Sequence, residues 1–465
     1  MNLRNLHSVY FLGIGGIGMS AIARWFNHLG IPVYGYDKTP SPLTEALQQE
    51  GMQVSYADDS SQIPGEFTQE AGEKLVVWTP AVPENSRLYT YFKNNGYTIR
   101  KRSAVLGLIT KDMESVAVAG THGKTTTSSM IAHLLKHAGH NTAAFLGGLT
   151  QNYQNNLILH DEGSKEAPVV VVEADEFDRS FLQLHPNISI VTSIDPDHLD
   201  IYGDAGQLVE GFVSFIRLTN PQGHLFIHHK AYDKIKDLDL GEAAVHLYGL
   251  NAGTVHAENI KAGTVSFTFD YVSESHRIDQ LELKVPGFHN IENALAAIAV
   301  GLHYKLSETA IRAGISSYRG VKRRFECIHS SEKITYIDDY AHHPEEIRAF
   351  LESVRAMYPG KKLTAVFQPH LFTRTRDFAK GFSESLSLAD EVILLDIYPA
   401  RELPIPGISS SMLLPDISSP EKQVLARENL LAYLKEIKPE VLVTIGAGDI
   451  DRLVIPIAKW IEDGE

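Results

Sequence analysis

A turn rich in glycine, lysine and threonine at residues 120–127 predicts a phosphate-binding site. The turn reads Gly-Thr-His-Gly-Lys-Thr-Thr-Thr and follows four apolar residues. Where a strand ends in glycines and a helix begins, backbone N–H groups point at an anion; Lys124 adds a positive charge, and the Thr125 hydroxyl can reach a bound Mg²⁺. Position 118 is valine where the general phosphate loop has its first glycine. A tightened turn would explain the glycines but not the lysine and three threonines, so we predict a nucleoside triphosphate site.

A second glycine loop lies near the start of the chain. An apolar strand at 8–12 leads into Gly-Ile-Gly-Gly-Ile-Gly at 13–18, a helix that extends to Leu29, and a second strand that finishes at Asp37. This order is typical of the Rossmann dinucleotide fingerprint. By itself the loop favours a nicotinamide or flavin enzyme. Together with the turn at Lys124, it predicts a separate nucleotide at each loop.

Acidic residues follow a strand of four valines. Glu173 ends that strand, so its carboxylate can complete a Mg²⁺ shell begun by Thr125 and the phosphates, because Mg²⁺ prefers hard oxygen ligands. His198 follows another strand in Asp-Pro-Asp-His, and a second metal site or a proton-handling role is as plausible there as a surface role. Three further acids are expected to be mostly solvated: Asp175, Glu176 and Asp178.

Basic residues and histidines gather later in the chain. The run at 322–324 is either a charged surface or, through one of its arginines, a ligand for the terminal phosphate when domains close. His342, His370 and Arg374 lie on predicted loops. An arginine offers a bidentate fork to a carboxylate, so a small carboxylate substrate is one possibility for these loops.

Strands such as 169–173, 363–367 and 441–445 alternate with helix-length pieces such as 344–357 over most of the 465 residues, which predicts an α/β fold in three domains. The predicted domains are an N-terminal Rossmann-like domain at 1–106, a central P-loop-type domain at 107–319 and a C-terminal Rossmann-like domain at 320–465. The central sheet is expected to be mostly parallel. Short alternating runs predict an antiparallel β layer appended to it over about 222–286.

Composition excludes several classes of protein. The formal net charge of −15 argues against non-specific nucleic-acid binding, although local loops can still hold phosphates. No apolar run approaches the length needed to cross a bilayer. The single cysteine, Cys327, fits a reducing compartment, and the opening residues lack the pattern of an export leader. We therefore predict a cytoplasmic protein with no nucleic-acid or membrane partner.

Six motifs occur in order across nearly the whole chain, and the set resembles the Mur ligases of peptidoglycan synthesis. They are Gly-Thr-His-Gly-Lys-Thr-Thr-Thr, Glu-Ala-Asp-Glu, Asp-Pro-Asp-His-Leu-Asp, His-Asn-Ile-Glu-Asn-Ala-Leu-Ala-Ala, Lys-Arg-Arg-Phe-Glu and Asp-Asp-Tyr-Ala-His-His-Pro. The resemblance implies domains for a UDP-sugar, for ATP and for an amino acid. ATP would phosphorylate a carboxylate, and an amine would attack the acyl phosphate to give an amide, ADP and phosphate. The opening glycine loop and a Phe-Gln-Pro-His block are similar to the branch that joins L-alanine to UDP-N-acetylmuramate.

The resemblance also implies roles for individual residues. Catalysis would fall to Lys124, Glu173, His198 and Arg324, and Mg²⁺ would be held by Thr125, Glu173 and His198. The implied ATP-binding residues are Gly120, Thr121, His122, Gly123, Lys124, Thr125, Thr126, His289, Asn290, Asn293, Arg324 and Asp339. The implied UDP-sugar residues are Gly13, Gly15, Gly16, Gly18, Met19, Asp37, Ala81 and Arg102. The implied amino-acid pocket consists of Tyr340, His342, His370 and Arg374.

Other functions stay open on the sequence alone. A recycling ligase would attach a preformed tripeptide to the same UDP-sugar, and a dinucleotide-dependent oxidoreductase would use the first glycine loop. A non-catalytic nucleotide sensor is a further alternative. Three places depart from the family pattern: Thr79-Pro80-Ala81-Val82 replaces two usual serines and leaves the hydrogen bonding to the UDP part open, while Phe177 and Ala341 leave the local loop shape open.

Overall fold

The computed structural model describes residues 3–69, 71–111, 113–196, 202, 204–400 and 402–464. Contacts divide the chain into two compact units, of which the first comprises Met1–Val255 with Ala296–Gly314 and the second comprises His256–Leu295 with Ile315–Glu465. Within the described residues, no helix combines the length and apolarity that crossing a bilayer requires.

The first unit begins with a five-stranded parallel sheet in the order β3-β2-β1-β4-β5. Every residue of β1 is buried, so the first glycine loop follows a strand fixed in the middle of a sheet. The strands are β1 (Ser8–Leu12), β2 (Val33–Tyr36), β3 (Gln53–Ser55), β4 (Lys74–Trp78) and β5 (Thr98–Lys101). The helices are α1 (Ile17–His28), α2 (Pro42–Gln49), α3 (Gly65–Gln69), α4 (Arg87–Asn94) and α5 (Arg102–Thr110).

A second sheet of the first unit has the strand order β12-β11-β10-β6-β9-β7-β8 and is parallel at its centre. Only the pair β7–β8 among these neighbours is antiparallel. The strands are β6 (Glu114–Ala119), β7 (Thr142–Phe145), β8 (Leu157–Ile158), β9 (Val169–Glu173), β10 (Ile188–Val191), β11 (His224–His228) and β12 (Ala244–Gly249). The helices are α6 (Lys124–His137), α7 (Ala205–Ile216) and α8 (His229–Asp233).

The antiparallel layer is shorter than the sequence predicts. The predicted layer begins near residue 222, but β11 pairs parallel with β10 and β12 pairs parallel with β11. β11 reads His-Leu-Phe-Ile-His and is buried at four of its five positions, so the alternating runs that predict the layer come from later strands. In the second unit, the antiparallel strands are β13 (Val255–Ala262), β14 (Phe267–Val272) and β15 (Arg277–Leu283).

A six-stranded sheet in the order β16-β17-β21-β18-β19-β20 forms the rest of the second unit. Only its edge pair β16–β17 is antiparallel. The strands are β16 (Glu326–Ser330), β17 (Thr335–Asp339), β18 (Leu363–Phe367), β19 (Glu391–Leu394), β20 (Glu421–Val424) and β21 (Val441–Ile445). Helices α9 (Phe288–His303) and α10 (Glu308–Ser317) include residues of both units. The later helices are α11 (Pro344–Met357), α12 (Phe372–Asp377), α13 (Ala379–Leu386), α14 (Arg427–Ile437) and α15 (Val454–Asp463).

The α/β fold class with mostly parallel sheets and added antiparallel strands is confirmed. Short 3-10 helices complete the described structure at Leu3–Asn5, Ser60–Gln62, Phe177–Gln183, Ser410–Asp416 and Asp449–Leu453. Because parallel strands end at one edge of their sheet, the loops after β6, β9 and β10 meet at one edge of the central sheet. The predicted domain boundaries at 106 and 319 stay predictions.

Candidate active site

The turn at Lys124 joins β6 to α6 and is braced by the loop after β10. The Ser193 hydroxyl accepts a hydrogen bond from the His122 N–H at 2.8 Å, and the Thr192 hydroxyl donates to the His122 carbonyl. Gly120 has a φ of 142°, and a Cβ there would lie 1.9 Å from the Thr192 hydroxyl oxygen. Only glycine fits this position, so the turn has one shape before any nucleotide binds.

A buried carboxylate holds the lysine of this turn. The Lys124 ammonium donates to the Gly120 carbonyl at 2.6 Å and to the Glu176 carboxylate at 2.8 and 2.9 Å. Burial lowers the pKa of Lys124, but the carboxylates of Glu176, Asp175 and Glu173 outweigh burial and raise it, so the lysine is charged. The expectation that Glu176 is solvated is wrong, because its side chain is 0% exposed. The number of acidic residues close together in the sequence does not show whether one of them has a buried cationic partner.

The other two acids of this run differ from Glu176. Asp175 is 36% exposed and pairs with Arg102 at 3.1 Å, so it is only partly solvated. The side chain of Asp178 lies outside the described part of the structure.

The predicted metal ligands lie at the same sheet edge as Lys124. Thr125 is the second residue of α6 and is buried, and Glu173 ends β9 with its carboxylate accepting from the Gly147 N–H at 3.0 Å. A hydroxyl and a carboxylate are the hard oxygen donors that Mg²⁺ takes alongside phosphates and waters. His198 lies outside the described residues. Among those described, no three His, Cys, Asp or Glu side chains form a metal cluster.

The first glycine loop is stabilised by its predicted acid. The Asp37 carboxylate accepts from the Gly15 N–H at 2.8 Å, so it fixes the loop. A Cβ on Gly18 would lie 2.7 Å from the Arg102 guanidinium, which places that arginine against the loop. The remaining predicted UDP-sugar residues share this sheet end: Gly13 and Gly16 in the loop, Met19 buried at the start of α1, and Ala81 exposed after β4.

Three predicted ATP-binding residues lie at the start of α9 in the second unit, with Asn290 and Asn293 buried and His289 partly buried. The Asn293 side-chain amide donates to the side-chain oxygen of Asn290 at 3.1 Å, and the Asn290 side-chain amide donates to the Pro286 backbone carbonyl at 2.7 Å. His289 lies beside Phe325, with 6.1 Å between ring centroids. Burial lowers the pKa of His289 to about 4, so its ring is neutral near pH 7.

Asp339, Arg324 and Tyr340 form a second cluster of the second unit. Asp339 ends β17, and its carboxylate accepts from the N–H groups of Phe325 and Ala341, both at 2.7 Å. The Arg324 guanidinium carbon lies 4.9 Å from the Tyr340 ring centroid. Burial raises the pKa of Asp339 to about 6, against the lowering effects of Arg324 and these two N–H groups. The cluster presents a cation beside a strand end.

Three of the four residues predicted for the amino-acid pocket lie in a row. The ring centroids of Tyr340 and His342 are 5.4 Å apart, and those of His342 and His370 are 6.2 Å apart. Arg374 is buried in α12, four residues beyond His370. The row thus begins beside the Arg324 cluster and leads toward the helix of the predicted carboxylate-binding arginine.

Three models of the Mur ligase family match the chain in succession. They are the Mur ligase family catalytic domain at 8–113, the Mur ligase middle domain at 118–301 and the Mur ligase glutamate ligase domain at 323–448. A UDP-N-acetylmuramate–L-alanine ligase of Cytophaga hutchinsonii is 46% identical over 467 residues, covering 99% of this chain and 98% of the relative. The enzyme of that name from Flavobacterium johnsoniae is 47% identical, with both chains covered completely. The chain belongs to the Mur ligase family.

A solved structure supports the same assignment for the fold of this Mur ligase. The UDP-N-acetylmuramate–alanine ligase of Thermotoga maritima has a TM-score of 0.81 at 28% identity, covering 98% of this chain and 100% of that chain. Membership of the family makes the chain an ATP-dependent ligase that forms an amide bond.

The predicted ATP-binding residues of this Mur ligase belong to both units. Those of the turn at 120–126 lie in the first unit. The second unit contains His289, Asn290, Asn293, Arg324 and Asp339. The sequence analysis assigned both sets to ATP, and the two sets fall in different units of the structure.

Sequence reasoning missed residues that hold the predicted ones in place. Arg323 donates to the Asp338 carboxylate at 2.9 Å and to the Gly446 carbonyl at 2.7 Å, so the middle residue of the basic run is structural. The hydroxyl pair Thr192–Ser193 braces the phosphate turn. The sequence could have predicted this pair, because hydroxyl residues directly after a buried strand lie at the edge of a parallel sheet where loops converge.

Asp339 gives a testable pH dependence of folding stability. Its pKa rises from 3.8 to about 6 on folding, so the folded protein binds this proton more tightly than the unfolded chain. Between pH 3.8 and about 6, its contribution to the free energy of unfolding therefore falls by about 3 kcal/mol as the pH rises. Above about pH 6 this contribution no longer changes with pH. We expect Asp339→Asn to remove this slope in urea unfolding measured from pH 4 to 7. Exposed Glu332→Gln is the control, and an unchanged slope in Asp339→Asn would contradict the assignment.

Proposed function

We propose that this Mur ligase joins L-alanine to UDP-N-acetylmuramate and converts ATP to ADP and phosphate. The observation that carries the proposal is the identity of 46–47% across the full length with enzymes of that name. The Lys124 turn is the corresponding physical feature, because a charged lysine at a helix N-terminus suits a triphosphate. UDP-N-acetylmuramate and L-alanine are the proposed partners, and the cytoplasm is the proposed location.

The chemistry begins with the carboxylate of the sugar, which is a poor electrophile. Its oxygen attacks the γ-phosphorus of ATP, the bond from that phosphorus to the β,γ-bridging oxygen breaks, and ADP leaves. The neutral amine of alanine then attacks the carbonyl carbon of the acyl phosphate. The tetrahedral intermediate expels phosphate and loses a proton from nitrogen, leaving the amide. Groups that offset negative charge at the phosphates lower both barriers.

The residues of this chain have proposed roles in those steps. Lys124 binds the β- and γ-phosphates, Arg324 lies by the phosphates, and Asp339 faces the ribose. Mg²⁺, when bound, offsets phosphate charge, and Thr125 and Glu173 suit it, with His198 for a second ion. The alanine pocket is proposed at Tyr340, His342, His370 and Arg374, with Arg374 on the carboxylate. Adenine is assigned to His289, Asn290 and Asn293.

A phosphate-release assay tests the proposed reaction. The enzyme is incubated with ATP, Mg²⁺ and UDP-N-acetylmuramate together with L-alanine, glycine, L-serine or a preformed tripeptide. The mass of the product is measured by mass spectrometry. We expect release that requires both the UDP-sugar and L-alanine. Preference for the tripeptide would identify a recycling ligase, and turnover of NADH without phosphate release would identify an oxidoreductase. Either result contradicts the proposal.

Gly18→Ala is expected to weaken binding of the UDP-sugar without weakening the fold. The added Cβ would lie 2.7 Å from the Arg102 guanidinium, the flexible end of that side chain, which must then move from the loop. Alanine within a helix is favoured over glycine by about 0.5–1 kcal/mol, so the melting temperature should not fall. We expect KM for UDP-N-acetylmuramate to rise about tenfold, the effect of losing about 1.4 kcal/mol of binding.

The control for this prediction is Gly65→Ala on α3, where the nearest atoms to a Cβ belong to the flexible Gln69 side chain at 3.6 Å. Its KM for the UDP-sugar should match that of the wild type. An unchanged KM in Gly18→Ala would show that Arg102 and this loop do not contact the sugar nucleotide.

A further inference from the structure

We propose that the first unit contains an additional anion-binding pocket that takes a compact phosphate-bearing molecule. The pocket is separate from the Lys124 turn and from the glycine loop at 13–18. It has a volume of about 270 Å³ and lies at β5, an edge strand of its sheet. Its walls come from β5, the start of α5 and the 3-10 helix at Phe177–Gln183. The polar residues that line it are Arg100, Lys101, Ser103, Arg179, Ser180 and Gln183.

The lining of this pocket has one sign of charge. Arg100, Lys101 and Arg179 are cationic and exposed, and none of the described residues that line the pocket is acidic. Within the described part of the chain, Arg100 and Arg179 form no ion pair with an acid. In a chain of net charge −15, three cations around one concavity concentrate positive potential locally. Such a pocket attracts an anion and disfavours a cation.

Arg179 is held in place by an aromatic ring. Its guanidinium carbon lies 5.5 Å from the Tyr202 ring centroid, and its backbone φ is 53°, in the left-handed region that few non-glycine residues occupy. A guanidinium over a ring keeps its charge and its N–H donors for a further ligand. The cation at this wall of the pocket is therefore positioned before any anion binds.

The opposite wall of the pocket adds hydrogen-bond donors. Ser103 is buried and lies in the first turn of α5, where backbone N–H groups carry the positive end of the helix dipole. Lys101 precedes that turn and provides no side-chain cap for it. The residue between them, Arg102, is directed elsewhere, because it pairs with Asp175 and lies against Gly18. Lys101 and Ser103 thus line this pocket, whereas Arg102 between them lies against the first glycine loop, so the two sites are separate.

The size of the pocket limits the ligand. Pockets for drug-sized molecules have volumes of about 300–1,000 Å³, and this one lies just below that range. The 3-10 helix packs closely against α5, because the carbonyl of Gln183 would lie 2.4 Å from a Cβ on Gly107. A pyrophosphate or a small phosphorylated metabolite suits this volume.

Equilibrium dialysis with radiolabelled inorganic pyrophosphate tests the pocket in the full-length protein. The pocket variant is Arg100→Gln/Arg179→Gln. Its matched control is Arg87→Gln/Lys93→Gln, which removes two exposed cations from α4 of the same unit. A third variant, Lys124→Met, reports on the phosphate turn. We expect one class of pyrophosphate site to weaken at least tenfold in the pocket variant and to persist in Lys124→Met and in the control.

Three results would overturn the proposal. The first is a pocket variant whose binding curve superimposes on that of the wild type. The second is an equal loss in the control, which would indicate attraction to surface charge in general. The third is displacement of this pyrophosphate by saturating UDP-N-acetylmuramate, which would assign the pocket to the sugar nucleotide. Near-ultraviolet circular dichroism of each variant establishes that it is folded.

Discussion

Lys124→Met is expected to reduce kcat by on the order of 10²- to 10³-fold, the effect of removing one preorganised charge from a transition state. Methionine keeps the length and apolar stem of lysine but lacks its charge. The loss removes the cation that we assign to the β- and γ-phosphates. Phosphate release at saturating ATP, UDP-N-acetylmuramate and L-alanine measures it. Lys136→Met, at the other end of the same helix, is the control and should retain activity.

A second variant separates catalysis from folding at this position. Lys124→Met leaves Glu176 buried without its cation, and breaking a buried ion pair in this way costs about 3–5 kcal/mol of stability. In Lys124→Met/Glu176→Gln, the uncompensated charge is absent, so most of the stability should return while activity stays low. Urea unfolding and phosphate release measure the two quantities. Recovery of activity in the double variant would contradict the proposed role of Lys124.

Arg323→Met is expected to lower the free energy of unfolding by about 3–5 kcal/mol. Its guanidinium donates to Asp338 at 2.9 Å, and that carboxylate is 0% exposed and also accepts from the Thr444 hydroxyl at 2.6 Å. Burial raises the pKa of Asp338, and Arg323 opposes that shift, so removal of the arginine leaves a poorly solvated carboxylate. Urea unfolding at pH 7 measures the loss.

Asp338→Asn in the same background should recover most of that stability, because the double variant has no buried charge to compensate. The control is Arg348→Met, whose arginine lies 3.7 Å from the half-exposed Glu384 in the same unit. Exposed pairs contribute about 0–1 kcal/mol, so its effect should be small. An Arg323→Met variant as stable as this control would show that the Arg323–Asp338 pair does not stabilise the second unit.

Strands buried on both faces were predictable from the sequence. The bounds of Val169–Glu173, Leu363–Phe367 and Val441–Ile445 agree with the sequence prediction to the residue, because an uninterrupted apolar run has one reading in a parallel sheet. The helix at Pro344–Met357 was also predicted, from its length between two strands. In the structure, proline occupies its first turn and Glu346 completes a capping box with His343. Local chemistry specifies such elements.

Strand direction and the burial of charge were not predictable. The stretch from about residue 222 was predicted to open an antiparallel layer, but the strand at His224–His228 is almost wholly buried and pairs parallel with its neighbour. Glu176 stands in an acidic run typical of a solvated loop, yet it is buried against a lysine 52 residues earlier. Both features depend on a partner distant in sequence, which no local pattern contains.

The contact between Glu176 and Lys124 has a consequence for inhibitor design. An internal anion already occupies the ammonium, so an incoming phosphate exchanges one counter-ion for another. A neutral phosphate mimic would have to compete with a full negative charge and would gain little at this lysine. Compounds that carry at least one formal charge at that point, or that bypass the ammonium altogether, are the better starting chemistry.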